Sequence, residues 1–479
     1  MTFDYIFKDA TVIDGTGAPR YRADVGVVAE LIAEIGDLSK ASAKQVIDAS
    51  GQVVAPGFID THAHDDAAIF DRSEIYPKLA QGVTTIINGN CGCSLAPMAL
   101  RPGERPPTPL DQLSRDGVHF KTFAEYLDAV SVSRPTINGA FLVGHSTLRF
   151  RHMADLQRPA NESEISAMQL DLHEALDAGA LGMSTGVFYG PAQATTTDEL
   201  IAVGRPLSDR GGLIAMHVRN EADQIEPALH EAFAVSSTLH VPLVVSHHKL
   251  FGKENHGRST HTLALLRQQA RLSPVCFDCY PYTASSSTLL PSRIKDSSRI
   301  QITWSKTHPE HAGRDLKDIA EEMGVDQEEA MRRLEPGGAV YFALSEDDVQ
   351  RILASPNAMI GSDGVPFQEV PHPRMWGTFP RVLGHYSRDL RLFPLEAALH
   401  KMTGFPAERF GLVGRGRVAP GFAADLTVFD AEQIADMATF DAPKQAPKGI
   451  SHVMVNGRMA VVGGEVVDWH AGQVLRRGQ

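Results

Sequence analysis

Eight short apolar runs, most of them followed by an amphipathic stretch, constrain this 479-residue chain more than any other feature. They are Phe58 to His64, Val83 to Cys91, Asn138 to His145, Ala180 to Val187, Leu213 to Arg219, Pro242 to Lys249, Val275 to Tyr282 and Ala358 to Asp363. The intervening stretches Glu162 to Ala178, Glu221 to Leu239, Thr260 to Leu272 and Pro394 to Phe410 carry apolar residues at helical spacing. Eight strand-then-helix units predict an α/β fold, a (β/α)8 barrel of the TIM type, over residues 56–414. Before it, residues 1–55 read as short strands with Asp-Gly and Ser-Gly turns, and 415–479 reads the same way, so both termini are expected to build one small β-sandwich domain. Residues 288–349 are long, polar and helical in pattern, which predicts an inserted lid subdomain in the seventh unit.

In such a barrel the chemistry sits at the C-terminal ends of the strands, so the residues that end each run matter most. The first run ends in PGFIDTHAH, placing His62 and His64 on the same side of an extended chain. The second ends at Asn90-Cys91, the fifth at His217, the sixth at His247 and the eighth at Asp363. Any one of these has a plain reading as a satisfied core or turn residue. Five of eight strand ends bearing imidazole, thiolate or carboxylate make a metal centre the stronger reading, and that donor mixture suits zinc.

The register resembles the amidohydrolase superfamily, and NGNCGCS, STGVFYGPA, SHHK and SDGVPFQEVPHPRMWGTFPRVLG are similar to its N-acyl-D-amino-acid deacylases. The only lysine between Cys91 and His217 is Lys121, so the carbamylated-lysine bridge of many superfamily members is not expected. The resemblance implies Cys91, His217 and His247 around one tightly held Zn2+, with His62, His64 and Asp363 around a weaker or vacant second position. It implies Asp363 as the catalytic proton carrier. It further implies Lys249 and Arg374 as binders of the substrate α-carboxylate, with Tyr280 or Tyr282 and a serine among Ser285, Ser286 and Ser287; Tyr282 and Ser287 are the preferred pair. Tyr189 would orient the scissile carbonyl. Arg293 stands where the family reads the substrate side chain and is similar to the arginine of deacylases acting on N-acyl-D-glutamate.

The expected substrate is therefore a small N-acyl-D-amino acid, N-acyl-D-glutamate first, with apolar N-acyl-D-amino acids (Leu, Met, Phe) or a cyclic amide as the alternatives. A net charge of −13 argues against nucleic acid and anionic membranes. The start MTFDYIFKDA lacks a basic segment followed by an apolar one, so a cytoplasmic location is the expectation. Cys276 and Cys279 are expected as reduced core residues, His248 as pointing away from His247, His145 as a supporting residue behind the ligands, and His372 as a loop residue placing Arg374.

Overall fold

The computed structural model describes residues 2–100, 103–114 and 117–478. Eight parallel strands, Phe58–Asp60, Val83–Asn88, Asn138–Gly144, Gly182–Gly186, Leu213–His217, Leu243–Val245, Val275–Cys279 and Ala358–Ile360, lie side by side in chain order. The first and eighth approach through Thr61 N, which donates to Ile360 O at 3.4 Å, and Asp363 N, which donates to His62 O at 2.8 Å. The barrel is thus nearly closed.

Alternation along these strands sorts the apolar residues into two cores. Ile59, Ile87, Leu142, Ala215, Val244, Cys276 and Met359 gather in one cluster, floored by Phe405 and Phe410. Their neighbours Phe58, Ile86, Phe141, Ile214, Val245, Phe277 and Ile360 belong to the larger cluster shared with the helices. Cys276 and Cys279 are buried and in no disulfide. The helix Glu162–Ala178 matches its predicted span because both ends are specified: Asn161 and Glu164 form a capping box and Gly179 takes a left-handed φ of 112°. The stretch 394–410 is instead two helices, Leu395–Met402 and Gly404–Phe410, broken at Thr403 (φ −137°, ψ −85°) before Gly404 and Pro406.

The terminal segments share one hydrogen-bonded sheet of nine strands. Its first strand, Thr2–Val12, pairs in parallel with Ser42–Asp48 along one part and with Val53–Pro56 along another, so the sheet branches there. Val53–Pro56 then pairs antiparallel with Leu426–Phe429, joining the two ends of the chain. The inserted segment differs from its helical reading. It starts at Ala284 and carries a three-stranded antiparallel sheet, Ala284–Thr288, Gly337–Phe342 and Arg299–Ser305, beside helices Leu316–Met323 and Gln327–Leu334. Its own core of Ile300, Ile302, Leu316, Ile319, Met331 and Tyr341 explains why a polar sequence folds there. Among the described residues no helix is long and apolar enough to cross a membrane.

Candidate active site

The hydrogen-bonded strands end earlier than the apolar runs, so most of the expected ligands lie just beyond them. His62 and His64 follow Asp60, Cys91 follows Asn88 by three residues, His247 follows Val245 and Asp363 follows Ile360, while His217 closes its strand. Cys91, His247 and Asp363 each take a left-handed backbone, with φ of 53°, 35° and 49°. Each such corner costs about 1–2 kcal/mol for a residue with a Cβ. At two of the three, fixed hydrogen bonds hold the corner: His247 N donates to Asp278 Oδ1 at 2.8 Å, and Asp363 N to His62 O. The turn aims each side chain back over the barrel axis.

The six expected ligands form one continuous chain of contacts. His217 Nδ1 lies 2.9 Å from His247 Nε2, which lies 3.3 Å from Cys91 Sγ, which lies 3.2 Å from His62 Nε2. His62 Nε2 is 3.7 Å from Asp363 Oδ1, and that oxygen is 3.2 Å from His64 Nε2. Cys91 therefore stands between the two expected halves and touches both. Three sets of donors each lie within 4.8 Å of one another and could hold a metal: His62, Cys91 and His247; His62, His64 and Asp363; and His217, Glu221 and His247. Among the described residues the expected trio of Cys91, His217 and His247 is not itself such a set. The electrostatics fit as well. Burial drives the His217 and His247 pKa values down, aided by the neighbouring imidazole at His217 and by Lys249 at His247, which keeps both rings neutral with a lone pair to offer. Burial also pushes the Cys91 thiol well up, so a thiolate there needs a cation beside it. His217 Nε2 is buried with no hydrogen-bond partner among the described residues.

Two residues that the sequence reading missed orient the rings. Asp278, in the seventh strand, lies 3.2 Å from His62 Nδ1; burial opposes the His62 charge, but this carboxylate outweighs it and raises the imidazole pKa. Glu221 lies 2.9 Å from His247 Nδ1. A lone acid inside an otherwise apolar strand (VCFDC), and one four residues past His217, were the available signals.

Lys249 pairs with Glu221 and lies 5.7 Å from the Tyr280 ring. Arg374 Nη1 is 2.9 Å from Asp363 Oδ2, its Nη2 donates to Ser286 O at 3.3 Å, and its guanidinium covers Tyr280 at 4.6 Å. Burial works against the Asp363 charge, yet Arg374 and then His64 hold its carboxyl well below the usual range. Arg293 Nη1 donates to Ser285 Oγ at 3.1 Å and the guanidinium lies over Phe251, 4.2 Å from its centroid. Tyr189 faces Ser287, hydroxyl to hydroxyl, at 3.4 Å.

The preferred tyrosine is corrected by this arrangement. Tyr282 turns away from the cluster: its hydroxyl donates to Pro373 O at 3.4 Å and its ring packs on His372 and Phe440. The chain turns tightly at Pro281, where Tyr282 N donates to Tyr280 O at 3.1 Å, and this leaves Tyr280 facing Lys249 and Arg374, its hydroxyl buried and without a partner among the described residues. Ser286 Oγ is also buried without a partner among the described residues, whereas Ser287 is turned to Tyr189. His372 accepts from Arg374 N at 3.0 Å and so does help to place that arginine. His248 points away, to Thr262 at 2.9 Å, while His145 lies 3.5 Å from Glu199 and among the described residues neither of its ring nitrogens has a hydrogen-bond partner. A cavity reaches His64, Cys91 and Asp363 past Tyr189, Ser286 and Ser287; Pro109, Gln112 and Leu113, from the long loop after the second strand, wall it from outside.

Comparison with known proteins agrees with this geometry. The amidohydrolase family profile matches residues 45–265 and 312–461. From Alcaligenes xylosoxydans xylosoxydans, a D-aminoacylase is 50% identical (99% of this chain, 98% of that protein), an N-acyl-D-aspartate deacylase 46% (99% and 95%) and an N-acyl-D-glutamate deacylase 46% (99% and 96%). A solved D-aminoacylase with a binuclear metal centre superposes with a TM-score of 0.97 at 51% identity, covering 99% of this chain and 100% of that one. The N-acyl-D-glutamate deacylase of Bordetella bronchiseptica, solved with zinc and a phosphonate mimic of the tetrahedral intermediate, gives 0.96 at 44%, with the same coverage. Sequence, fold and ligand set together place this chain in the amidohydrolase family, among its N-acyl-D-amino-acid deacylases.

Proposed function

We propose that this chain hydrolyses the amide of N-acyl-D-amino acids to a carboxylate and a free D-amino acid, with zinc as the metal and N-acyl-D-glutamate as the preferred substrate. The observation that carries the reading is a set of buried donors, Tyr280 Oη, Ser286 Oγ and Arg374 Nε, that have no hydrogen-bond partner among the described residues and stand beside Asp363 and the Cys-His cluster. Such groups are costly to bury without a partner, and a substrate carboxylate supplies one. Cys91, His217 and His247 would hold the tight zinc, with His62, His64 and Asp363 at a second, weaker position. When bound, zinc acidifies water toward a pKa of about 7 and polarises an amide carbonyl.

The chain's own residues do the rest. Arg374, Lys249, Tyr280 and Ser286 fix the α-carboxylate, and Tyr189 is placed to orient the scissile carbonyl. Asp363 takes the proton from the attacking water and returns it to the departing nitrogen. Its ion pair with Arg374 keeps it a carboxylate before substrate arrives; a substrate carboxylate sharing that guanidinium would loosen the pair and make Asp363 a better base.

Arg293 would read the side chain. Lys249 and Arg293 share one carboxylate, Glu221, while Arg374 pairs with Asp363, and two cations on a single carboxylate support an acidic substrate. One observation favours the apolar alternative: Arg293 already pairs with Glu221 and is boxed by Phe188, Phe251 and Tyr341. Initial rates of the zinc-loaded enzyme on N-acetyl-D-glutamate, N-acetyl-D-leucine, N-acetyl-D-methionine and their L-enantiomers separate the two. D-only turnover led by glutamate is the expected result. Turnover of apolar D-substrates alone would keep the chemistry and discard Arg293 as the reader, and no turnover of any would reject the deacylase reading.

A further inference from the structure

We propose that Glu221 is a positioning residue that ties substrate recognition to the metal centre, an assignment that rests on the deacylase reading above. Four groups converge on this one carboxylate. Its Oε1 lies 2.9 Å from His247 Nδ1 and 3.8 Å from His217 Nε2 and pairs with Lys249 Nζ, while Oε2 lies 3.2 Å from Arg293 Nη2. The side chain is 4% exposed, so these neighbours rather than water neutralise it. Its main chain is tied to the same place, because Phe251 N donates to Glu221 O at 2.8 Å and the Phe251 ring lies under Arg293.

Toward the metal centre, Glu221 fixes one tautomer. His247 Nε2 faces Cys91 and His217, so a ligand role for that nitrogen requires the ring proton on Nδ1, and Glu221 is the acceptor that holds it there. Lys249 Nζ is 2.7 Å from the same Nδ1 and can donate to it only in the other tautomer, so Lys249 and Glu221 compete for that nitrogen and the carboxylate is the group that favours a proton on it. Toward the substrate, the same carboxylate holds two like charges, Lys249 and Arg293, near each other inside the protein. Without it they would repel and rotate away from the carboxylates they are placed to meet. One rigid group therefore sets the metal ligand and both cations at once.

Asp278 provides the contrast needed for a test. It orients His62 and caps the His247 amide, but none of its hydrogen bonds or ion pairs reaches a substrate cation. The experiment measures zinc affinity by competition with a chromophoric chelator, together with KM and kcat for N-acetyl-D-glutamate and N-acetyl-D-leucine, in wild type, Glu221→Gln, Glu221→Asp and Asp278→Asn. In Glu221→Gln, zinc affinity should fall about 10- to 100-fold, and the KM for the glutamate substrate should rise at least about 10-fold more than that for leucine, the loss of a fixed ion pair to an acidic side chain. Glu221→Asp should show both effects at smaller size, and Asp278→Asn should lose zinc affinity with the KM ratio unchanged. Loss of one property without the other in Glu221→Gln, or both effects in Asp278→Asn, would overturn the coupling. If Glu221→Gln does not fold, Glu221→Asp is judged by the same criteria, and wild-type zinc affinity with a wild-type KM ratio overturns the assignment. A wild type that turns over no acyl-D-amino acid would instead reject the deacylase reading, while the zinc competition, which needs no substrate, still decides whether Glu221 holds His247.

Discussion

Asp60 and Asp363 follow one another across the seam where the barrel closes, and both are buried, yet their surroundings differ in kind. Asp60 uses both oxygens within the protein: Oδ2 accepts from Lys78 Nζ at 2.6 Å and from the Ser362 hydroxyl at 2.5 Å, and Oδ1 accepts from the amides of Ser362 at 2.8 Å and His62 at 3.2 Å. Lys78 completes its own set with Ser362 Oγ at 2.6 Å and Asp65 at 3.1 Å. Asp363 instead faces two histidines and an arginine, and the hydroxyls of Tyr280 and Ser286 nearby have no partner among the described residues. The filled valences of Asp60 fix structure, although both oxygens of Asp65, behind Lys78, lack a hydrogen-bond partner among the described residues; the open hydroxyls beside Asp363 are held ready for a ligand. The closed network also sets the open one, since Ser362 is adjacent to Asp363 and His62 is itself one of the expected ligands.

Substitutions on each side of the seam would break or sharpen this contrast. The largest effect is expected for Asp363→Asn, in which kcat falls about 10²- to 10⁴-fold, the usual range for a lost proton carrier, while metal analysis still finds zinc on Cys91, His217 and His247. Near-normal kcat would remove Asp363 from its role. Lys78→Met should act on the fold rather than the substrate, losing about 3–5 kcal/mol in denaturant unfolding because Asp60 is left buried and unpaired. If it unfolds like wild type, the closed network is not structural. Arg293→Leu should weaken kcat/KM on N-acetyl-D-glutamate by about 2–5 kcal/mol while sparing N-acetyl-D-leucine. Equal rates on the acidic substrate before and after would remove Arg293 from side-chain reading.

Tyr280→Phe should raise KM by the value of a hydrogen bond to a charged group, about 1.5–3 kcal/mol, with no loss of stability because its hydroxyl has no partner among the described residues. Tyr282→Phe should leave KM nearly unchanged, and the reverse pattern would restore Tyr282 to the site. The smallest effect concerns Asp66, whose burial lifts its pKa to about 7. Its folded value lies above its unfolded one, so its contribution to stability is complete below about pH 4 and is lost as pH rises through 7. Between pH 6 and 8 the Tm of wild type should therefore decline more than that of Asp66→Asn, and parallel Tm profiles would contradict this.

Much of the site was legible from residue type and place. Ligands at the ends of successive runs are a one-dimensional signal, because a barrel brings all eight strand ends to one rim whatever the details of packing. The same logic did not reach Glu221 and Asp278, since a single acid carries no spacing that marks it as an orienter. Nor could it choose between Tyr280 and Tyr282, where the choice depends on how the chain turns at Pro281. The lid's strands were hidden because its alternation is brief and lies among polar residues, so its sheet depends on pairing between segments some thirty to fifty residues apart.

The sequence by itself determined the barrel and nominated a candidate metal-binding set, because periodicity and the chemistry of side chains are local properties. Tertiary structure alone decided the order in which those ligands touch, the place of Cys91 between the two halves, and which hydroxyls remain unpartnered. Those depend on distances of a few ångströms between residues up to about three hundred positions apart, such as His64 and Asp363, and only the closed barrel sets them.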